Sequence, residues 1–252
     1  MPLYQSPAAA IRSIKLGEAD RLVTFFTRDF GKIKAAAKGA ARPKSKFGGR
    51  LEPFNVVDMI AFGKEKSDIF RLNSCDIMER FPALGEDLST LTKALACAEL
   101  VDLAQTDRDP NTSGFHLLVS AWRALASERS GEKQDLLLRI FELKFLESAG
   151  YKPALDRCAS CGGMISSKGA AFSARKGGLL CHKCLHVDSS APRITAGAAA
   201  LMKKSLEIPI EKCGRLAAGK APLAEMEAAL SEFIRVHIRR ERKTERFLAR
   251  PL

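Results

Sequence analysis

No stretch of this 252-residue chain approaches eighteen consecutive apolar residues, the length a helix needs to cross a bilayer core. Residues 1–17 also lack the long apolar segment and cleavage site of a secretory leader. A cytosolic location is therefore expected, where cysteines stay reduced and bind metal more readily than they pair. Catalytic signatures are missing too: there is no G-x-S-x-G elbow, no H-E-x-x-H helix and no G-x-G-x-x-G loop. The four histidines, His116, His182, His186 and His237, lie outside any catalytic motif. GRLAAGKA at residues 214–221 has phosphate-loop spacing. It ends on Ala221, however, where a Ser or Thr hydroxyl would hold Mg²⁺, and the segment before it makes a poor buried strand. No constellation for bond-making chemistry remains, and the chain is expected not to be an enzyme.

Acidic residues are absent from one stretch in particular. Between Asp29 and Glu52 there are none, while Lys32, Lys34, Lys38, Arg42, Lys44, Lys46 and Arg50 all fall there. A formal charge of +12 points to an anionic partner, nucleic acid or an acidic membrane surface. Cations with no intervening anion repel one another, which favours contact with a phosphate backbone over a merely solvated face. On a strand, Lys32, Lys34 and Lys38 share one side by period two; Gly39, Pro43, Gly48 and Gly49 shape the loop that carries the others. Phe47 and Phe54 flank that loop, where a ring can stack on a base, although an aromatic in a small barrel more often belongs to the core.

Four of the seven cysteines form two Cys-x-x-Cys pairs, Cys158/Cys161 and Cys181/Cys184, with Gly162, Gly163, Gly177 and Gly178 beside them. A lone pair would read equally as a redox dithiol; two pairs at this spacing match a zinc ribbon. Two disulfides, or reduced thiols with no ligand, are the alternatives, and His182 or His186 could stand in for a thiol. A closed four-thiolate shell leaves no position for water or substrate, so one structural Zn²⁺ is expected, its binding energy, on the order of 10 kcal/mol, folding an otherwise polar loop. Cys75, Cys97 and Cys213 stand alone and read as small buried hydrophobes.

Strand-like runs occupy residues 10–16, 21–28, 32–38, 56–62 and 69–77, separated by turn residues at Gly17, Gly31 and Gly63. Five strands in this space predict a small closed barrel, an OB-fold with an SH3-like barrel as the alternative. Near residue 80 the period becomes helical. Leu88, Leu91, Leu95 and Ala98 recur first, then Phe115, Leu118, Val119, Trp122 and Leu125, then Leu136, Leu137, Ile140, Phe141 and Phe145. Asp109-Pro110-Asn111, Ser130-Gly131 and Gly150 with Pro153 supply the breaks. Thr195 is a candidate N-cap for a helix over 196–206. A last helix is predicted over 222–248, with Met226, Leu230, Phe233 and Ile234 inward. Arg235, Arg239, Arg242 and Arg246 form a row on another side, from which Arg239 and Arg242 are candidate nucleic-acid contacts; Glu232, Glu241 and Glu245 nearby offer ordinary charge pairing instead. The chain thus reads as α+β: an N-terminal OB-fold β-barrel over 1–79, an α-helical domain over 80–157 and 188–252, and a four-cysteine zinc-ribbon-like module inserted at 158–187.

AKGAARPKSKFGG at residues 37–49 and LEPF at 51–54 are followed by ERFP at 79–82 and LESAGYKP at 146–153. CASCG at 158–162, FS at 172–173, GGLLC at 177–181 and KTERFL at 243–248 complete the set. In this order and over almost the whole chain, they resemble the RecO family of bacterial recombination mediators in DNA repair. Ala41 stands where many members carry a second basic residue. The resemblance implies an OB-fold that binds single- and double-stranded DNA and a helical domain with an inserted zinc module. It also implies annealing of complementary strands, and work with RecR so that RecA replaces the single-stranded-DNA-binding protein, whose acidic C-terminal tail the helical domain receives. A bacterial cytoplasmic, nucleoid-associated location goes with it. Two other readings are a metal-dependent nuclease, which conflicts with a filled thiolate shell, and an RNA-binding or transcription-associated zinc-ribbon protein.

Overall fold

A computed structural model describes residues 2–64, 67–165 and 170–248, which divide into two units: Met1–Ser127 with Thr244–Leu252, and Glu128–Lys243. In the first unit the barrel depends on small residues where its walls meet. Ala8, Ala9 and Ala10 are fully buried at the middle of β1 (Leu3–Leu16). Residues 3–9 of β1 pair with β4 (Asn55–Phe62) and residues 8–16 with β2 (Asp20–Thr27), and a register shift between Ala10 and Arg12 bends the strand so that it serves both neighbours. β2 pairs with β3 (Gly31–Ala37), β4 with β5 (Phe70–Arg80), and the parallel pairs Ala35/Phe70 and Ala36/Arg71 join β3 to β5. The order β1-β2-β3-β5-β4 closes on itself, the OB arrangement, which settles the choice against an SH3-like barrel. β1 begins earlier than alternation predicts, because the Pro7-Ala8-Ala9-Ala10 run carries no period for a sequence reading to detect.

Alternation fills the barrel with Val23, Phe25, Ile33, Val57, Met59, Phe70 and Leu72, joined by Phe47 and Leu51 from the β3–β4 connection. The outward residues Ala9, Phe26 and Val56 are buried as well. They lie on the wall covered by α1 (Leu88–Ala104) and α2 (Thr112–Ser127), where Phe26 meets Phe115 edge-on at 6.3 Å. This explains why the first unit runs on to Ser127 although the sequence period changes near residue 80. Asp87 caps α1 by accepting from the Thr90 amide. The buried side of α1 carries Ala94, Cys97, Ala98 and Val101, whereas Leu88, placed in the predicted stripe, is 55% exposed. A last helical turn, Glu245–Leu248, completes the unit, and the Thr244 amide and hydroxyl donate to Glu99.

In the second unit α3 (Gly131–Ser148), α4 (Ala196–Glu207) and α5 (Lys220–Ile238) pack on one another. β6 (Ala170–Ser173), β7 (Gly178–Cys181) and β8 (Arg193–Ile194) form an antiparallel sheet ordered β7-β6-β8. Thr195 caps α4 as expected, accepting from the Ala198 amide, and its own amide and hydroxyl donate to Glu225 of α5. Phe233 and His237 of α5 hold the sheet: Phe172 lies 5.9 Å from the Phe233 ring, and His237 Nε2 is hydrogen-bonded to the Ala174 carbonyl at 2.8 Å.

One sequence expectation fails here. The last helix does not run through 222–248; it ends at Ile238, and Arg239 adopts a left-handed backbone with φ of 53°. Fully buried Glu142 on α3 supplies the reason, because a buried carboxylate requires cations and Arg242 turns inward to donate to it at 2.7 Å. The arginine row therefore does not form. The phosphate-loop resemblance also dissolves: residues 210–215 are a short 3₁₀ helix, so no strand feeds that loop. No helix among the described residues is long and apolar enough to cross a membrane.

Candidate nucleic-acid interface and metal centre

The seven cations between Asp29 and Glu52 do different things. Lys32 and Lys34 project from the outer side of β3, and that side is laid against the last turn of α1 and the segment following it. Lys32 is 4% exposed. Its Nζ donates to the Asp102 carbonyl and lies 3.4 Å from the Asp102 carboxylate and 3.2 Å from that of Asp107. Lys34 Nζ reaches Asp107 at 2.9 Å, and Arg12 reaches Asp102 at 3.6 Å. Burial works against ionisation of Asp107, but Lys34 and Lys32 outweigh it and hold its pKa below the ordinary carboxylate value. Gly31 permits this approach, since its φ is +66° and a Cβ there would sit 2.1 Å from the Asp109 carbonyl oxygen.

The loop beyond β3 is built to be rigid. Asp20 accepts from the Gly39 amide at 2.8 Å, and the Ala41 amide donates to Ala19 at 2.9 Å. Phe47, only 2% exposed, plugs the barrel, so it is core and unavailable for base stacking. Lys46 Nζ donates to the Asn73 carbonyl at 2.6 Å and lies 5.1 Å from the Phe47 ring centre; Arg50 donates to the Lys46 carbonyl at 2.6 Å and faces Asp76 at 4.0 Å. These two cations brace the loop against β5. Phe54 is likewise committed, edge-on to Trp122 at 5.4 Å. Lys38, Arg42 and Lys44 stay exposed and form no ion pair among the described residues.

Register adds a residue that the sequence did not reveal. Arg71 on β5 pairs alongside Ala36 and is exposed, which sets it on the same outer side as Lys34, near where Lys38 leaves the strand. The parallel β3–β5 pairing skips β4, and no local pattern announces it. Of the two C-terminal candidates, Arg239 is exposed, whereas Arg242 is 4% exposed and bound to Glu142.

The metal-ligating atoms come together as the spacing predicts. Sγ atoms of Cys158, Cys161, Cys181 and Cys184 all lie within 4.8 Å of one another, and those of Cys161 and Cys181 are 3.8 Å apart. Four sulfurs tetrahedral about an ion at roughly 2.3 Å would be separated by about 3.8 Å, so the donor set is close to the geometry a metal needs. Its backbone is fixed first: the Cys158 amide donates to Gly163, Gly162 to Cys158, and Ala159 to Leu179 of β7. Burial opposes ionisation of Cys158, but amide donors at Cys181, Cys161 and Ser160 outweigh it and lower its pKa to about 6. Cys184 is pushed up to about 12 by hydrogen bonding with the Cys161 sulfur and by burial. Thiols that take up a cation give up their protons to it. His182 and His186 are exposed and outside the sulfur cluster. Cys75, Cys97 and Cys213 are buried singly, as expected.

Fold and site define a class: proteins that join an OB barrel to a helical body bearing a four-cysteine cluster able to hold a metal ion. Sequence comparison narrows it. Residues 1–81 match the family described as Recombination protein O N terminal, and residues 85–246 match Recombination protein O C terminal. Proteins named DNA repair protein RecO are similar over nearly their full length. That of Pelotomaculum thermopropionicum is 30% identical, covering 99% of this chain and 95% of its own. That of Rubrobacter xylanophilus is 36% identical, covering 94% and 92%. The Anaeromyxobacter sp. strain K protein is 35% identical, also covering 94% and 92%. The chain belongs to the recombination protein O family, RecO.

Proposed function

We propose that this protein acts in DNA repair and recombination as a non-enzymatic mediator that binds single- and double-stranded DNA and anneals complementary strands. The observation that carries the reading is the barrel loop, where Lys38, Arg42 and Lys44 are held outward, unpaired, on a scaffold made rigid by Phe47, Lys46 and Arg50. Unpaired cations on a fixed backbone displace counterions from phosphates without reading bases, and they lower the repulsion that two strands must overcome to meet. Arg71 and Arg239 extend the positive surface of their respective units; Lys32 and Arg242, buried and neutralised, do not contribute, and Lys34 contributes only in part. Cooperation with RecR, reception of the acidic tail of single-stranded-DNA-binding protein and support of RecA loading follow from family membership, as does a cytoplasmic, nucleoid-associated place of work.

The four thiolates would hold one Zn²⁺, which supplies folding free energy and cross-links the two knuckles. The chain's own part is to orient the sulfurs through amide donors and to bury three of the four cysteines.

The test is salt-dependent binding of an oligo-dT strand. Single-strand binding loses about 0.7 of log–log slope per phosphate contact, so Lys38→Ala/Arg42→Ala/Lys44→Ala should flatten the slope by about 2. An unchanged slope would place the DNA surface elsewhere.

A further inference from the structure

The barrel loop is not the only acid-free stretch. Between Asp156 and Asp188 the sequence has no acidic residue, whereas Arg157, Lys168, Arg175, Lys176 and Lys183 fall there. The acids at its borders are engaged: Asp156 lies 3.6 Å from Lys203, and Asp188 accepts from Ser173 at 2.6 Å and Ser190 at 2.7 Å. From the helix packed against this module, Glu232 is bound by Arg235, and Glu225 is taken up by Thr195. Arg157, Lys176, Lys183 and Arg193 are exposed. Arg193 pairs in register with Ala171, the neighbour of Phe172, so it stands on the side of the sheet opposite the ring that meets α5.

The metal does not cancel this charge. Four thiolates around a divalent ion carry a net charge of about −2. Three of the four cysteines are buried, and the exposed cations Arg157, Lys176, Lys183 and Arg193 outnumber that charge. Beside Arg157, and bridged to it through the backbone, Met164 is 74% exposed. A flexible apolar side chain next to a guanidinium suits an unstacked base on a phosphate backbone.

We propose that the metal module is a second nucleic-acid surface, which holds the backbone of the incoming strand while the barrel loop holds the first. This rests on the annealing function proposed above and deepens it: annealing brings two polyanions together, and each of the two units carries exposed cations from one acid-free stretch of sequence.

The experiment uses the full chain with Lys176→Glu/Lys183→Glu/Arg193→Glu, assayed for oligo-dT binding, annealing of complementary oligonucleotides, zinc content and thermal melting. The expected result is retained zinc and melting, single-strand affinity within about twofold, and annealing slowed by about tenfold, since only the second strand loses its contacts. Unchanged annealing in this variant, or a loss of single-strand binding in step with annealing, would overturn the proposal. Should the variant lose zinc or fail to fold, the parent protein is photo-crosslinked to a 5-iodouracil strand added to the preformed complex. Crosslinks at Met164 or near Lys183 support the second surface, and crosslinks confined to residues 38–44 refute it. A parent protein that binds no DNA at all would refute the annealing function itself, a separate outcome.

Discussion

Glu142→Gln should be among the most damaging single substitutions in the second unit. Glu142 has no exposed surface and accepts from Arg139 at 2.7 Å and from Arg242 at 2.7 Å, while Arg139 also reaches Glu227 at 3.0 Å. Burial alone would push its carboxyl pKa up, but attraction to Arg139 and Arg242 outweighs this, and the net shift is downward. Glutamine preserves the shape and removes the charge, leaving two guanidiniums, each 4% exposed, of which Arg139 keeps its contact with Glu227. Breaking a buried pair from one side costs on the order of 3–5 kcal/mol, which for a domain of this size is roughly 10–20 °C of melting temperature. Replacing Arg139, Glu142 and Arg242 together by Met, Leu and Met should restore most of the loss, because attraction within a buried pair largely offsets its desolvation. The pH dependence has a definite sign. Because the folded pKa lies below the unfolded value of about 4.3, the contribution is complete above that pH and disappears as pH falls through the folded value. The parent should therefore lose stability below about pH 4 more steeply than Glu142→Gln. Thermal and urea unfolding followed by circular dichroism measure all three proteins. A Gln variant within about 1 kcal/mol of the parent, with the triple variant no better, would show that the cluster is not what fixes the segment after α5.

Lys32→Met should destabilise the first unit by about 1–3 kcal/mol, since Asp102 and Asp107 lose a buried partner, and should leave the DNA salt slope as it was. Lys38→Ala should do the reverse; a common effect of both on DNA would mean that Lys32 is reached by phosphate after all. Chelation at neutral pH should release one zinc per chain and lower the melting temperature, and Cys181→Ser should mimic it; metal analysis finding no zinc in the purified parent would end that reading. Phe47→Ala empties a barrel position that is 2% exposed and should cost about 3–5 kcal/mol, with proteolytic cleavage appearing within residues 38–54.

The barrel was legible because alternation marks each strand that has one face inside, and the cysteine module because two spaced pairs leave little freedom in how four sulfurs can meet. The end of α5 was not legible. Its helical period continues through charged residues that present no apolar conflict, and the decision to turn is made by Glu142 on a different helix. The stripe of α1 was misplaced at Leu88 for a related reason: a helix that buries Ala94, Ala96, Cys97 and Ala98 presents several sides to its neighbours at once, so Leu88 does not mark the core. Arg71 was hidden by a strand order that no local window contains.

Those failures share a cause that also decides what the cations do. A lysine or arginine contributes to a polyanion surface in proportion to the donors that neighbouring carboxylates and carbonyls leave free, and that is a tertiary property. Lys32 and Lys38 are equivalent by period, yet one faces Asp102 from the last turn of α1 and Asp107 from the segment after it, and the other leaves the strand into solvent. Lys46 and Arg50, equal to Arg42 and Lys44 in sequence, spend their donors on Asn73 and on the loop itself, and that restraint leaves the other three cations of the loop exposed. An acid-free stretch therefore sets an upper bound on the interface. The packing of its own neighbours fixes how many of its charges remain for a partner.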